Sequence, residues 1–310
     1  MCRQQSGIAA FIGAALVLVG CNQAEAEQAS SKAVQPDPVF GMVGSITPEQ
    51  VRDGANLIKQ GKVYQLGIVT GPDTPAWGDR EFEMQVIDLG KFGSNKVTGH
   101  DDRVVTHIGI GSQIDGFGHV GIDGVHYGGI KAEDIYAEDG LKMYGAHNIP
   151  PIATRGVVIN IAKQFGGKVL EPLTSYGAAD IRAAAEAQGV EVRPGDVVLL
   201  HTGWLSRIDE PEIFGTRQPG IDVDGARYLA ELGVVAVGSD TPGLESDAPH
   251  DDDAAFPVHA LLLAEKGIHI LENINTAELV ADNASEFFFV LGTPRLKGSV
   301  QAIINPVAIR

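Results

Sequence analysis

Between Gln113 and His119 the chain carries an amide, a carboxylate and an imidazole within seven residues, Q-I-D-G-F-G-H. On an extended strand Gln113 and Asp115 point the same way. His119, three small or turn-forming steps later, is the side-chain type that titrates nearest neutrality. Hard oxygens beside an imidazole suit a divalent cation or a general acid–base pair. A second pair stands far along the chain. His259 falls in the first turn of a helix opened by Pro257, and Glu272 closes the strand that follows it. A helix of about ten residues that returns through a strand brings the strand's end back near the helix's start. His259 and Glu272 can therefore meet.

Other features are set aside on physical grounds. G-F-G-H-V-G (116–121) matches the dinucleotide fingerprint, but that loop must open a helix, and I-D-G-V-H-Y-G-G follows instead. There is no phosphate-binding loop of the G-K-S/T type and no G-x-S-x-G elbow. His107 shares a face with Gln113 but lies about 20 Å away along a straight strand at ~3.3 Å per residue. His100, His147 and His250 sit in polar loops and read as solvated. His126 follows the focal corner closely enough to line a pocket. His201 ends a buried strand and reads equally as a core histidine or a site residue, and His269 reads as structural. Trp77, Phe117, Tyr127 and Trp204 are aromatic candidates for a pocket wall, with core packing the alternative use of each.

The elements that must position these groups follow from the pattern. Residues 104–115 alternate with period two, Ile108, Ile110, Ser112 and Ile114 opposing His107, Gly109, Gly111, Gln113 and Asp115, which predicts one continuous strand. Thr47-Pro48-Glu49-Gln50 is a capping box with proline at the first helical position, and predicts a helix to about Gln60. Strands are expected over 63–69 and 84–89, a loop over 90–103, irregular chain over 121–150, and a buried strand over 156–162. In the second half helices are expected over 178–188, 224–232 and 257–266, alternating with strands over 197–201, 234–238, 268–271 and 287–291. Many early strands lack helices between them, so the fold class expected is mixed α/β, barrel-like rather than doubly wound.

Composition bounds the rest. Both cysteines, Cys2 and Cys21, lie at the N-terminus. The apolar run from Ile8 to Val19 is too short at ~1.5 Å per residue to cross a ~30 Å membrane core, and reads as the core of a leader. It closes in L-V-G-C, which resembles a bacterial lipobox and would make Cys21 the lipidated first residue; an ordinary secretory leader cut near Ala24 or Ala26 is the alternative. The expected organisation is a leader over 1–20, a flexible tether over 21–40 and a catalytic domain over 41–310, exported and lipid-anchored to a bacterial membrane. No thiol then remains for a nucleophile or a thiolate metal site. A net charge of −17 with no basic stripe excludes nucleic acid as a partner.

The focal segment, F-P-V-H (256–259), I-L-E-N (270–273) and the closing I-N-P-V-A-I resemble the cyclase superfamily, which includes kynurenine formamidase and isatin hydrolase. T-R-G-V-V-I-N (154–160), the stretch 185–204 and L-A-E-L-G-V-V-A-V-G-S-D-T (229–241) carry the resemblance further, over roughly 45–309. It implies a swivelling β/β/α fold, a homodimer or higher oligomer, and zinc- or manganese-dependent opening of amide or lactam bonds. The family motif H-x-G-T-H-x-D-x-P-x-H places its first two histidines on Gly109 and Gln113, its aspartate on Asp115, its proline on Phe117 and its last histidine on His119. The family's later metal histidine and glutamate fall on His259 and Glu272. With two imidazoles replaced, the resemblance implies a Gln-bearing branch holding a single ion, manganese before zinc or magnesium. The expected ligands are Asp115, His259 and Glu272 with Gln113 helping, and His119 is the expected catalytic base. The expected activity is hydrolysis of a small cyclic or aryl amide by metal-activated water. A lyase or dehydrating cyclase, and a lipid-anchored binding protein without turnover, are the alternatives.

Overall fold

Val197–His201 reads V-V-L-L-H and is buried along its whole length, the mark of a strand covered on both faces. It lies at the centre of a mixed sheet in a computed structural model that describes residues 36–249 and 254–310. The leader, Cys21 and most of the tether lie outside the described residues, as does His250. The described residues belong to one compact unit, Val34–Arg310, and among them no helix is long and apolar enough to cross a membrane.

Nine strands form the sheet, in the order Val63–Gln65, Val307–Ile309, Glu286–Leu291, Ile152–Asn160, Val197–His201, Ala236–Ser239, His269–Glu272, Gln113–Asp115, Gln301–Ile303. The four from Ile152–Asn160 to His269–Glu272 run parallel, and the flanking ones are antiparallel. The sheet curls into a half-barrel, so the fold is the mixed, barrel-like α/β arrangement that the sequence pattern implies. The helices between the parallel strands end where glycine permits a left-handed turn: Ala178–Gln188 stops at Gly189 (φ 67°) and the helical run 257–266 at Gly267 (φ 63°). Within that last run the α-turn Pro257–His259 widens into a π-helix, Ala260–Lys266.

Local signals located most elements, with three corrections. The capping box holds as read, with Thr47 and Gln50 exchanging side-chain and backbone hydrogen bonds, but the helix covers only Pro48–Ala55. The supposed loop 90–103 is largely strand. Phe82–Phe92 pairs with Val97–Thr106 as a two-stranded ribbon, Met84 opposite Val104. The continuous strand expected over 104–115 is broken: one strand ends at Thr106 and the next starts at Gln113. Gly111 sits at φ +71° in the break, where a Cβ would meet Thr70 Oγ1 at 2.0 Å. A period-two pattern cannot report that turn, because glycine fits either face without changing the alternation.

Candidate metal centre

The short strand Gln113–Asp115 runs between two others. Its Gln113 is opposite Glu272 on one side and its Asp115 opposite Gln301 on the other. Side chains two apart share a face, so this register gathers two carboxylates and two amides on one surface. Each amide donates to a carboxylate: Gln113 Nε2 to Glu272 Oε2, and Gln301 Nε2 to Asp115 Oδ1 at 2.8 Å. The other oxygen of Asp115, Oδ2, is buried without a hydrogen-bond partner.

His259 enters over this surface from the first turn of its helix, as expected. Its Nε2 is 3.3 Å from Glu272 Oε1 and 3.6 Å from Asp115 Oδ2, which brings the aspartate strand and the helix–strand return together. Its Nδ1 bonds to Glu245 Oε1, and Glu245 also accepts the backbone N–H groups of Val258 (3.0 Å) and His259 (3.3 Å). His119 follows a turn in which its own N–H donates to Gly116 O at 3.0 Å. Ligand atoms of Asp115, His119 and His259 all lie within 4.8 Å of one another.

The electrostatics of this group favour a cation. Burial raises the Glu272 carboxyl, and the neighbouring Asp115 charge adds to it, to about 7. Burial alone would lower His259, yet the hydrogen bonds and charges of Glu245 and Glu272 prevail and push it up to about 10. Burial lowers His119, only partly offset by Asp115, so this imidazole is neutral at pH 7. Three buried carboxylates around one imidazole make a site that stabilises positive charge. A divalent cation supplies that charge, and the orphaned Asp115 oxygen, the imidazoles and the carboxylates are the donors it takes. The residues fit a metal.

Gln113, His119, Glu245, His259, Glu272 and Gln301 line a cavity of about 650 Å3, together with Arg80, Trp77, Phe256 and Gln218. Arg80 donates from Nη1 to Gly109 O at 2.6 Å. Trp77 and Phe256 meet edge to face at 6.5 Å. Glu245, Gln301 and Arg80 escaped the sequence reading, because each arrives from a distant segment with no spacing to mark it. The other candidates are placed elsewhere. His107 is exposed, its Nδ1 accepting from Glu81 N at 2.9 Å. His126 bonds to Phe117 O at 2.8 Å, outside this cavity. His269 is structural, stacked on Phe117 at 4.3 Å and bonded to Asp115 O at 2.8 Å. Phe117, Tyr127 and Trp204 are buried away from the cavity, so of the four aromatic candidates only Trp77 lines it.

Residues 64–246 match the family model described as putative cyclase. A search of the curated proteins gave no significant match. Among solved structures, a crystal structure of a novel cyclase is 26% identical, covering 88% of this chain and 96% of its own, with a TM-score of 0.81. Isatin hydrolase A from Ralstonia solanacearum is 17% identical over 80% of this chain and 92% of its own, TM-score 0.62. A potential metal-dependent hydrolase with cyclase activity is 17% identical over 80% and 98%, TM-score 0.52. With the family model spanning more than half its length, the chain belongs to the putative cyclase family.

Proposed function

We propose that the chain is a metal-dependent hydrolase that opens the C–N bond of a small amide, cyclic or aryl. The observation that carries this is the convergence of Asp115, His119, His259 and Glu272 on one buried, acid-rich corner of an open cavity. The likeness to isatin hydrolase and to a potential metal-dependent hydrolase supports the class.

Asp115, His259 and Glu272 hold the ion, with Gln113 Oε1 the further oxygen available; manganese or zinc suits this nitrogen and oxygen set. When bound, the ion supplies Lewis acidity that polarises a carbonyl and lowers the pKa of water. His119, neutral and half-buried, takes the proton from the attacking water and returns it to the leaving nitrogen. The Arg80 guanidinium faces charge that develops on the substrate carbonyl, and Trp77 with Phe256 offers an apolar edge for a flat substrate.

Metal analysis of the purified protein, paired with turnover on a panel of linear amides and lactams, tests the assignment. Asp115→Asn and His259→Ala lose the metal. His119→Ala keeps it and loses roughly two to four decades of rate; loss of metal in His119→Ala makes His119 a ligand instead. Incorporation of label from H2(18)O into product separates hydrolysis from a lyase, and saturable binding with no turnover on any amide leaves a binding protein.

The chain acts as a homodimer or higher oligomer, a reading supported by the exposed apolar ribbon Phe82–Thr106. It is exported and held to a membrane by lipid on Cys21, a reading supported by L-V-G-C alone; Cys21→Ser releases it from the membrane fraction.

A further inference from the structure

A second cavity, of about 790 Å3, opens where Ile152–Asn160, Val197–His201 and Ala236–Ser239 end. It is on the other side of the sheet from the metal corner. Leu200 pairs with Ser239, and Gly238 with Leu271, so Leu200, Ser239 and Glu272 share one face and His201 falls on the opposite one. The carboxyl ends of parallel strands are where α/β sheets commonly take ligands.

His201 is one of three buried polar residues that line this cavity, with Asp240 and Thr276. Its Nδ1 is 2.8 Å from Thr276 Oγ1 and 3.5 Å from Asp240 Oδ2. Asp240 is itself fixed, accepting from Thr202 N at 2.8 Å and Thr202 Oγ1 at 2.6 Å. With the Thr276 hydroxyl and the Asp240 carboxylate both on the Nδ1 side, Nδ1 is assigned as the donor nitrogen of the ring. Nε2 is left as an acceptor with no partner among the described residues. A core histidine kept for packing alone would have both nitrogens satisfied or enclosed; this one presents a preset acceptor to an open volume. Two exposed lysines, Lys163 and Lys168, stand at the rim. The lysine ion pairs among the described residues are at Lys62 and Lys131, so in a chain of net charge −17 these two cations lack an acidic partner. Leu205 and Val280 supply apolar lining.

We propose that this cavity is a second binding site, taking a small organic anion whose body also carries an N–H or O–H donor. The anionic group lies with Lys163 and Lys168, the flat or aliphatic body against Leu205 and Val280, and the donor reaches His201 Nε2. Nothing in the metal corner is needed for it, so it stands whether or not the proposed hydrolysis is right.

Fluorescence titration of the full chain with 2-aminobenzoate, an anion with an N–H donor, tests it. The expected result is saturable binding with a Kd of about 0.1–1 mM, in the range of a small ligand with few contacts. Benzoate, which lacks the donor, and aniline, which lacks the anion, bind several-fold more weakly. Ala277→Trp, a substitution at an exposed lining position, abolishes that binding. The double variant Lys163→Glu/Lys168→Glu, at two exposed positions, weakens it by roughly tenfold or more. Both variants retain wild-type metal content. Binding that both variants leave intact places the probe in the metal cavity and overturns the proposal; so does the absence of saturation up to about 10 mM, or equal affinity for all three probes.

Discussion

The guanidinium of Arg80 occupies the space that a side chain on Gly109 would need. A Cβ built on Gly109 lies 2.6 Å from Arg80 Nη1 and 2.6 Å from Gln301 Oε1, while the same Nη1 donates to Gly109 O. Glycine at 109 and arginine at 80 are thus one arrangement: the absence of a side chain at 109 leaves room for a cation beside the candidate metal corner. Both groups that a methyl would strike are ends of flexible side chains, so they can give way. Gly109→Ala is expected to move Tm little, and Gly109→Ala and Arg80→Ala are each expected to lower kcat/KM by roughly ten- to hundredfold. Thermal melts and steady-state kinetics on the three proteins check this. A large loss of Tm in Gly109→Ala with unchanged kinetics in Arg80→Ala would make the pair a packing feature.

Glu245 decides which nitrogen of His259 faces the corner. With Nδ1 engaged by Glu245, Nε2 is aimed at Asp115 and Glu272. Groups that orient a metal-binding histidine in this way commonly contribute ten- to hundredfold in affinity. Glu245→Gln is therefore expected to weaken metal binding by about that factor, read by competition with a chelator, while leaving the fold's circular dichroism intact.

Asp247 borders the same cavity and gives a pH dependence of stability. Burial pushes its carboxyl up to about 6, the Glu245 charge adds to this, and the N–H donated by Gln218 offsets it in part. The folded protein thus holds this proton more tightly than the unfolded chain. Its favourable contribution is complete below the ordinary carboxyl value of 3.8 and is lost as pH rises through about 6. Asp247→Asn, which still accepts from Gln218, should gain stability over wild type at about pH 8 and show little difference near pH 4. Melting curves at the two pH values read the sign directly, and a gap that is larger in acid contradicts it.

The ribbon Phe82–Phe92 with Val97–Thr106 is not part of the main sheet. Met84, Val86 and Val104 lie on one of its faces and are 49, 67 and 44% exposed. A two-stranded hairpin alone in water is marginal, and an apolar face on it needs cover. Val86→Glu with Val104→Glu should shift the protein towards monomer in light scattering after gel filtration. An unchanged mass would remove the ribbon from the interface.

Some of this was legible in the chain as written. The Thr47–Gln50 cap, the helix stop at Gly189 and the alternation of helix and strand after residue 178 are set by neighbours a few residues apart. Asp115, His119, His259 and Glu272 could be named for the same reason, as residue types at fixed local spacings at the ends of elements. The ribbon was half missed because Thr98 to Arg103 is too polar to read as a strand when its partner is out of view. The break at Gly111 was missed because glycine leaves no mark on a period-two pattern. What only the tertiary structure decided is who meets whom: Gln113 against Glu272, Gln301 against Asp115, Glu245 behind His259, Arg80 in the space beside Gly109. Those pairings depend on strand register and on backbone approach between segments up to 186 positions apart, and no local spacing encodes them; they follow from how a buried sheet closes with its polar groups satisfied.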